Sequence, residues 1–187
     1  MSSTLAVDFN ELLQRTERPP LVLFVDDETM VLNALRRVMR PYRFDLMTAT
    51  GGEAALALFE KHEIDLVVSD HDMPGMGGIE LLRTIAARWP STVRYMLTGK
   101  ATLSLALAAI NEGEIHRFFT KPCCPEELAL GLRHGLEQQR LLTVARHLFE
   151  RCREQEQTLR ELETEHPGIG EITRDADGAI ILDPPTV

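Results

Sequence analysis

The chain has 187 residues, 44% hydrophobic and 26% charged, so it can bury a core and is not disordered throughout. It has 29 acidic against 20 basic residues, a formal net charge of −9, which argues against binding the nucleic-acid backbone. Three cysteines are too few for a disulfide framework, and no apolar run approaches the ~20 residues of a membrane helix.

Residues 9–16 can form one or two helical turns before Pro19 and Pro20 break the chain. LVLFVDD (21–27) is an apolar run ending in acids, the pattern of a parallel strand buried on both faces. Helical periodicity over 28–40 stops before Pro41. FDLMTA (44–49) reads as a second strand, and 51–61 as a helix with Ala54, Ala55, Leu58 and Phe59 inward. IDLVVSD (64–70) is a third strand, 78–88 a helix, VRYMLTG (93–99) a fourth strand and 102–111 a small-residue helix. RFFTKP (117–122) is a fifth strand, and a helix starts at Pro125, a residue suited to a first turn. Five strand–helix units predict an α/β fold: a five-stranded parallel, doubly wound, flavodoxin-like sheet.

In such sheets the chemistry lies outside the carboxyl ends of the strands. Those ends carry Asp26 and Asp27, then Asp70, then Thr98, then Lys121. Like charges at close range resist ionisation unless a cation compensates. Mg²⁺ suits the need, because it takes oxygen ligands and keeps waters and phosphate oxygens in its shell. A carboxylate can also attack phosphorus and form an aspartyl phosphate, with Thr98 and Lys121 clamping the phosphoryl oxygens.

The stretches FVDDE, SDHDMPGMGGIELL, YMLTG and RFFTKP together resemble the motif set of response-regulator receiver domains of two-component signalling, over about residues 21–135. The resemblance implies that Asp70 accepts the phosphoryl group. It implies that Asp27 is the principal Mg²⁺ ligand, that Asp26 acts through water, and that Asp72 offers its backbone carbonyl. Thr98 becomes the switch hydroxyl, Lys121 the phosphate-pairing cation and Phe118 the switch aromatic, with a cis Lys121–Pro122 bond. A sensor histidine kinase or phosphotransfer protein is the implied donor. AINEGEIHRFFTKP resembles more narrowly the receivers attached to HD-GYP or NtrC-like outputs, although Cys123 stands where those usually carry an aromatic residue. Asp72 and Lys100 stand two residues beyond the acceptor and the switch threonine, and an ion pair between them would slow loss of the phosphoryl group.

The chain thus divides into an N-terminal extension (1–20), a receiver (21–135), a coiled-coil helix (136–166) and a tail (167–187). No proline interrupts Glu126 to Glu165, so the last helix can run on for ~60 Å, although Gly131 and Gly135 weaken its first part. Leu141, Ala145, Leu148, Cys152, Gln155, Leu159 and Leu162 follow alternating 4,3 spacing, the seam of a homodimeric coiled coil. Apolar alternation around Asp177-Gly178 reads as a small β-hairpin. Cys123 and Cys124 read as packing residues.

These features point to a cytoplasmic response regulator that signals to an unknown output protein through protein contacts. They predict no DNA-binding or enzymatic output, no nucleic-acid partner and no membrane. A phosphorelay shuttle is one alternative. A phosphohydrolase of the haloacid-dehalogenase type is another, since Asp70-x-Asp72 matches its nucleophile pair, but Asp26 and Asp27 would go unexplained.

Overall fold

The structure, a computed structural model, describes residues 18–99 and 115–166. The turns at 9–16, Lys100, the helix at 102–111 and the hairpin in 167–187 lie outside the described residues. The chain divides into two units, Met1–Val144 and Ala145–Val187.

Within the first unit, the five predicted strands form one parallel sheet in the order β2-β1-β3-β4-β5. They are β1 (Leu21–Val25), β2 (Asp45–Ala49), β3 (Leu66–Ser69), β4 (Val93–Thr98) and β5 (Arg117–Thr120). The helices are α1 (Thr29–Met39), α2 (Gly52–Phe59), α3 (Gly78–Arg88) and α4 (Pro125–Glu165), with a 3₁₀ turn at Arg40–Tyr42.

Each central strand is buried on both faces, which explains the unbroken apolar runs. Alternate strand residues feed two cores. Leu23, Val25, Val67 and Met96 meet Phe59 of α2 and Leu82 and Ile85 of α3. On the other face, Val22, Phe24, Val68 and Tyr95 meet Leu32 of α1 and Leu128 and Leu132 of α4. Ala54, predicted to face inward, is exposed, and Ala55 and Phe59 carry the buried side of α2. The reason is phase: Ala55 and Phe59 stand four apart on one face.

The two glycines of α4 have a role that propensity hides. A Cβ at Gly135 would lie 2.0 Å from the Tyr95 hydroxyl, and one at Gly131 would lie 2.4 Å from the Phe119 ring. The helix therefore sits close over β4 and β5. There the buried Tyr95 hydroxyl donates to the Gly131 carbonyl at 2.9 Å. Burial raises the Tyr95 pKa above its usual range, against a smaller lowering from Arg117, so the donor proton stays in place. Cys123 packs against the same core, as predicted. Cys124 does not: it is exposed, and its thiol donates to the Glu126 carboxylate at 2.6 Å, because it stands on the solvent side of the turn into α4.

Gly135→Ala gains helix propensity, yet the added methyl group meets Tyr95. The variant should lose ~1–3 kcal/mol of stability in urea denaturation. A gain in stability would contradict the close approach.

Candidate functional site

The sheet order gathers the charged strand ends. Val25 and Ser69 are register partners on the adjacent strands β1 and β3, so Asp26 and Asp70 follow side by side. Thr98 pairs with Thr120 across β4 and β5. The Lys121 amide continues that ladder by donating to the Thr98 carbonyl at 2.9 Å. Four stretches, the ends of β1, β3, β4 and β5, thus reach one edge. The Lys121–Pro122 peptide bond is cis.

At this edge one ammonium serves two carboxylates. Lys121 Nζ lies 2.6 Å from Asp26 Oδ2 and 2.6 Å from Asp70 Oδ1. The remaining oxygens are also engaged: Asp26 Oδ1 accepts from the Glu28 amide and Asp70 Oδ2 from the Asp72 amide, both at 2.9 Å. Asp26 and Asp70 are 2% and 9% exposed, so these bonds replace most of their hydration. Burial alone would lower the Lys121 pKa, but the hydrogen bonds and charges of Asp26 and Asp70 outweigh it and hold the pKa above the usual lysine value. Lys121 therefore stays charged at neutral pH.

Thr98 is buried at the same edge. Phe118 is half-buried against the core that faces α2 and α3. Asp27 and Asp72 are exposed, and Asp72 Oδ1 lies 3.6 Å from His71 Nε2. The ion pair predicted between Asp72 and Lys100 involves a residue outside the described set. One residue that charge patterning did not single out holds the loop after Asp70: a Cβ on Gly78 would lie 1.9 Å from the Asp70 carbonyl oxygen. The Gly-rich run after Met73-Pro74 was its signal.

Among the described residues, no three His, Cys, Asp or Glu side chains are gathered as metal ligands. Lys121 stands between two of the acids, and Asp27 faces solvent. The donor chemistry still suits Mg²⁺. Two hard carboxylates face a single positive charge, and Mg²⁺ binds through one or two carboxylates, with waters and phosphate oxygens completing its shell.

The bridge has a titration signature. Because the Lys121 pKa is raised, its stabilisation is complete below the usual lysine value of about 10.4 and is lost only as pH rises through the higher folded value. NMR titration of Lys121 should show this. Asp26→Asn should bring the midpoint back down, and an unchanged midpoint would exclude the bridge as its cause.

Comparisons with known proteins agree with this geometry. Residues 22–133 match the family described as response regulator receiver domain. The hydrogenase transcriptional regulatory protein HoxA of Cupriavidus necator is 32% identical over 126 residues, which are 67% of this chain and 26% of that protein. The C4-dicarboxylate transport transcriptional regulatory protein DctD of Rhizobium meliloti is 30% identical over 129 residues, 69% of this chain and 28% of that one. The chain thus spans about a quarter of the length of these relatives. Among solved structures, the signal receiver domain of an HD domain-containing protein from Pseudomonas fluorescens Pf-5 is 42% identical, with a TM-score of 0.62. That match covers 65% of this chain and 98% of the other. A parallel five-stranded sheet, an acidic strand-end pair bridged by one lysine and the match over 22–133 lead to one assignment: the chain belongs to the response regulator receiver domain family.

Proposed function

We propose that the chain is a phospho-accepting response regulator whose acceptor is Asp70, fed by a sensor histidine kinase or a phosphotransfer protein. The Asp26–Lys121–Asp70 bridge carries this reading. Asp70 Oδ1 attacks the phosphorus of a phosphohistidine, the P–N bond breaks, and the imidazole leaves. Asp26, Asp27, Asp70 and the Asp72 carbonyl would hold Mg²⁺, which supplies charge compensation for the incoming phosphoryl group. Lys121 pairs with a phosphoryl oxygen, Thr98 donates its hydroxyl to another, and Phe118 moves into the space that Thr98 leaves. Family members accept and lose a phosphoryl group and are not turnover enzymes. No described helix is long and apolar enough to cross a membrane, which accords with a cytoplasmic site of action. The narrower kinship to receivers of HD-domain proteins is supported by the 42% identity to one such receiver.

The output in this reading is protein contact through the long helix. Leu141, Leu148, Leu159 and Leu162 are all exposed on α4, at 66%, 51%, 63% and 39%. Together with Ala145 and Cys152 they form an apolar stripe that a second copy would cover as a homodimer. In a parallel, in-register pair the two Cys152 side chains would face each other.

Two experiments bear on this. Incubation with acetyl phosphate and Mg²⁺ should give one hydroxylamine-labile phosphoryl group per chain. Asp70→Asn should abolish it, and Lys100→Ala should shorten its lifetime several-fold. Multiple turnover of a generic phosphomonoester would instead favour the haloacid-dehalogenase alternative. A short bismaleimide should cross-link the chain, and Cys152→Ser should prevent it. A monomeric mass with and without beryllofluoride would remove the dimer.

A further inference from the structure

The basic side chains are not spread evenly over this acidic chain. Two adjoining clefts that share Phe44 are lined by seven of its 20 lysines and arginines. The larger, about 610 Å³, opens at the amino ends of the strands, where Pro20, Phe44 and Asp65 immediately precede β1, β2 and β3. Arg133, Leu136 and Arg140 of α4 form part of its wall. It therefore lies at the end of the sheet opposite Asp70. The smaller, about 470 Å³, follows the end of α1 past Arg36, Arg37 and Arg40.

Of the seven arginines, Arg18 is paired with Asp65 at 3.2 Å. Among the described residues, Arg36, Arg37, Arg40, Arg43, Arg133 and Arg140 have no carboxylate partner. The same lining holds two carboxylates, Asp65 and Glu137, so with seven arginines the surface stays net basic in a chain with an excess of nine acids.

Arg43 adds an independent observation. It closes the 3₁₀ turn in the left-handed region, at φ 58 and ψ 41. Glycine relieves that conformation, and a long cationic side chain does not. Backbone strain of this kind is held in place by the surrounding structure and clusters at ligand-contacting sites, and Arg43 lines the larger cleft.

We infer that the double cleft binds an extended acidic peptide segment of a protein partner. Planar guanidinium forks match carboxylates bidentately. The half-buried Tyr42, Phe44, Leu46 and Leu136 supply an apolar floor between the charges. Two clefts that both border Phe44 suit an elongated segment in which acidic and apolar side chains alternate.

The test uses the full chain without Mg²⁺ and a fluorescein-labelled peptide of alternating glutamate and leucine, followed by anisotropy. ATP and a single-stranded oligonucleotide serve as competitors. Arg43→Gly should melt no lower than wild type, yet bind the peptide about tenfold more weakly. The Arg133→Ala, Arg140→Ala double variant should weaken binding at least as much. Arg153→Ala, on the exposed coil and with the same single charge lost as in Arg43→Gly, should leave it unchanged. The inference is overturned if wild type does not bind the peptide or if the cleft variants bind like wild type. It is equally overturned if Arg153→Ala weakens binding as much as they do, or if ATP or the oligonucleotide binds the cleft more tightly than the peptide.

Discussion

Two buried carboxylates that share one ammonium set the terms for the rest of this structure. Asp26 and Asp70 come from adjacent strands and repel each other, and Lys121 from the far edge strand holds them together. At 2% and 9% exposure the two acids have lost most of their hydration, and these partners replace it. The site therefore requires that β1, β3 and β5 end in register. That requirement reaches back to the buried sheet, and from there to the apolar runs of its central strands β1, β3 and β4.

The bridge also makes the site responsive. A phosphoryl group on Asp70 would bring new negative oxygens within reach of Lys121, and the lysine could no longer serve Asp26 and Asp70 equally. Under the proposed function, this rearrangement is the first event of signalling. Its surroundings are suited to transmit it. Lys121 is bonded through its amide to Thr98, and β5 carries Phe118 on one face and Phe119 on the other. Phe119 abuts Gly131, and Tyr95 is tied to the Gly131 carbonyl. A shift of β4 or β5 would thus be felt by the packed part of α4 through tight contacts that leave little slack.

Much of this was legible from the sequence, because both the strand pattern and the site depend on residue type. A continuous apolar run ending in Asp states both that a strand is buried and where its carboxyl end lies. What escaped the sequence depends on contact between distant segments. Gly131 and Gly135 look like defects in a helix until Tyr95 and Phe119 are seen against them. Asp26 and Asp70 stand 44 positions apart, and the Lys121 ammonium that both of them share is seen only once the strands are assembled. Ala54 and Ala55 are the same residue type, and only the helix phase decides which is buried. The segregation of arginines is equally hidden, since Arg36 and Arg140 are about a hundred positions apart in the chain and line adjoining clefts.

The central claim is that Lys121 divides its charge between Asp26 and Asp70 and turns to the phosphoryl group when one arrives. A crystal structure of the chain with beryllofluoride and Mg²⁺ tests it directly. The account predicts beryllium on an Asp70 carboxylate oxygen and Lys121 Nζ within hydrogen-bond distance of a fluorine. Beryllofluoride on another carboxylate, or Lys121 directed to solvent beside an occupied Asp70, would contradict it.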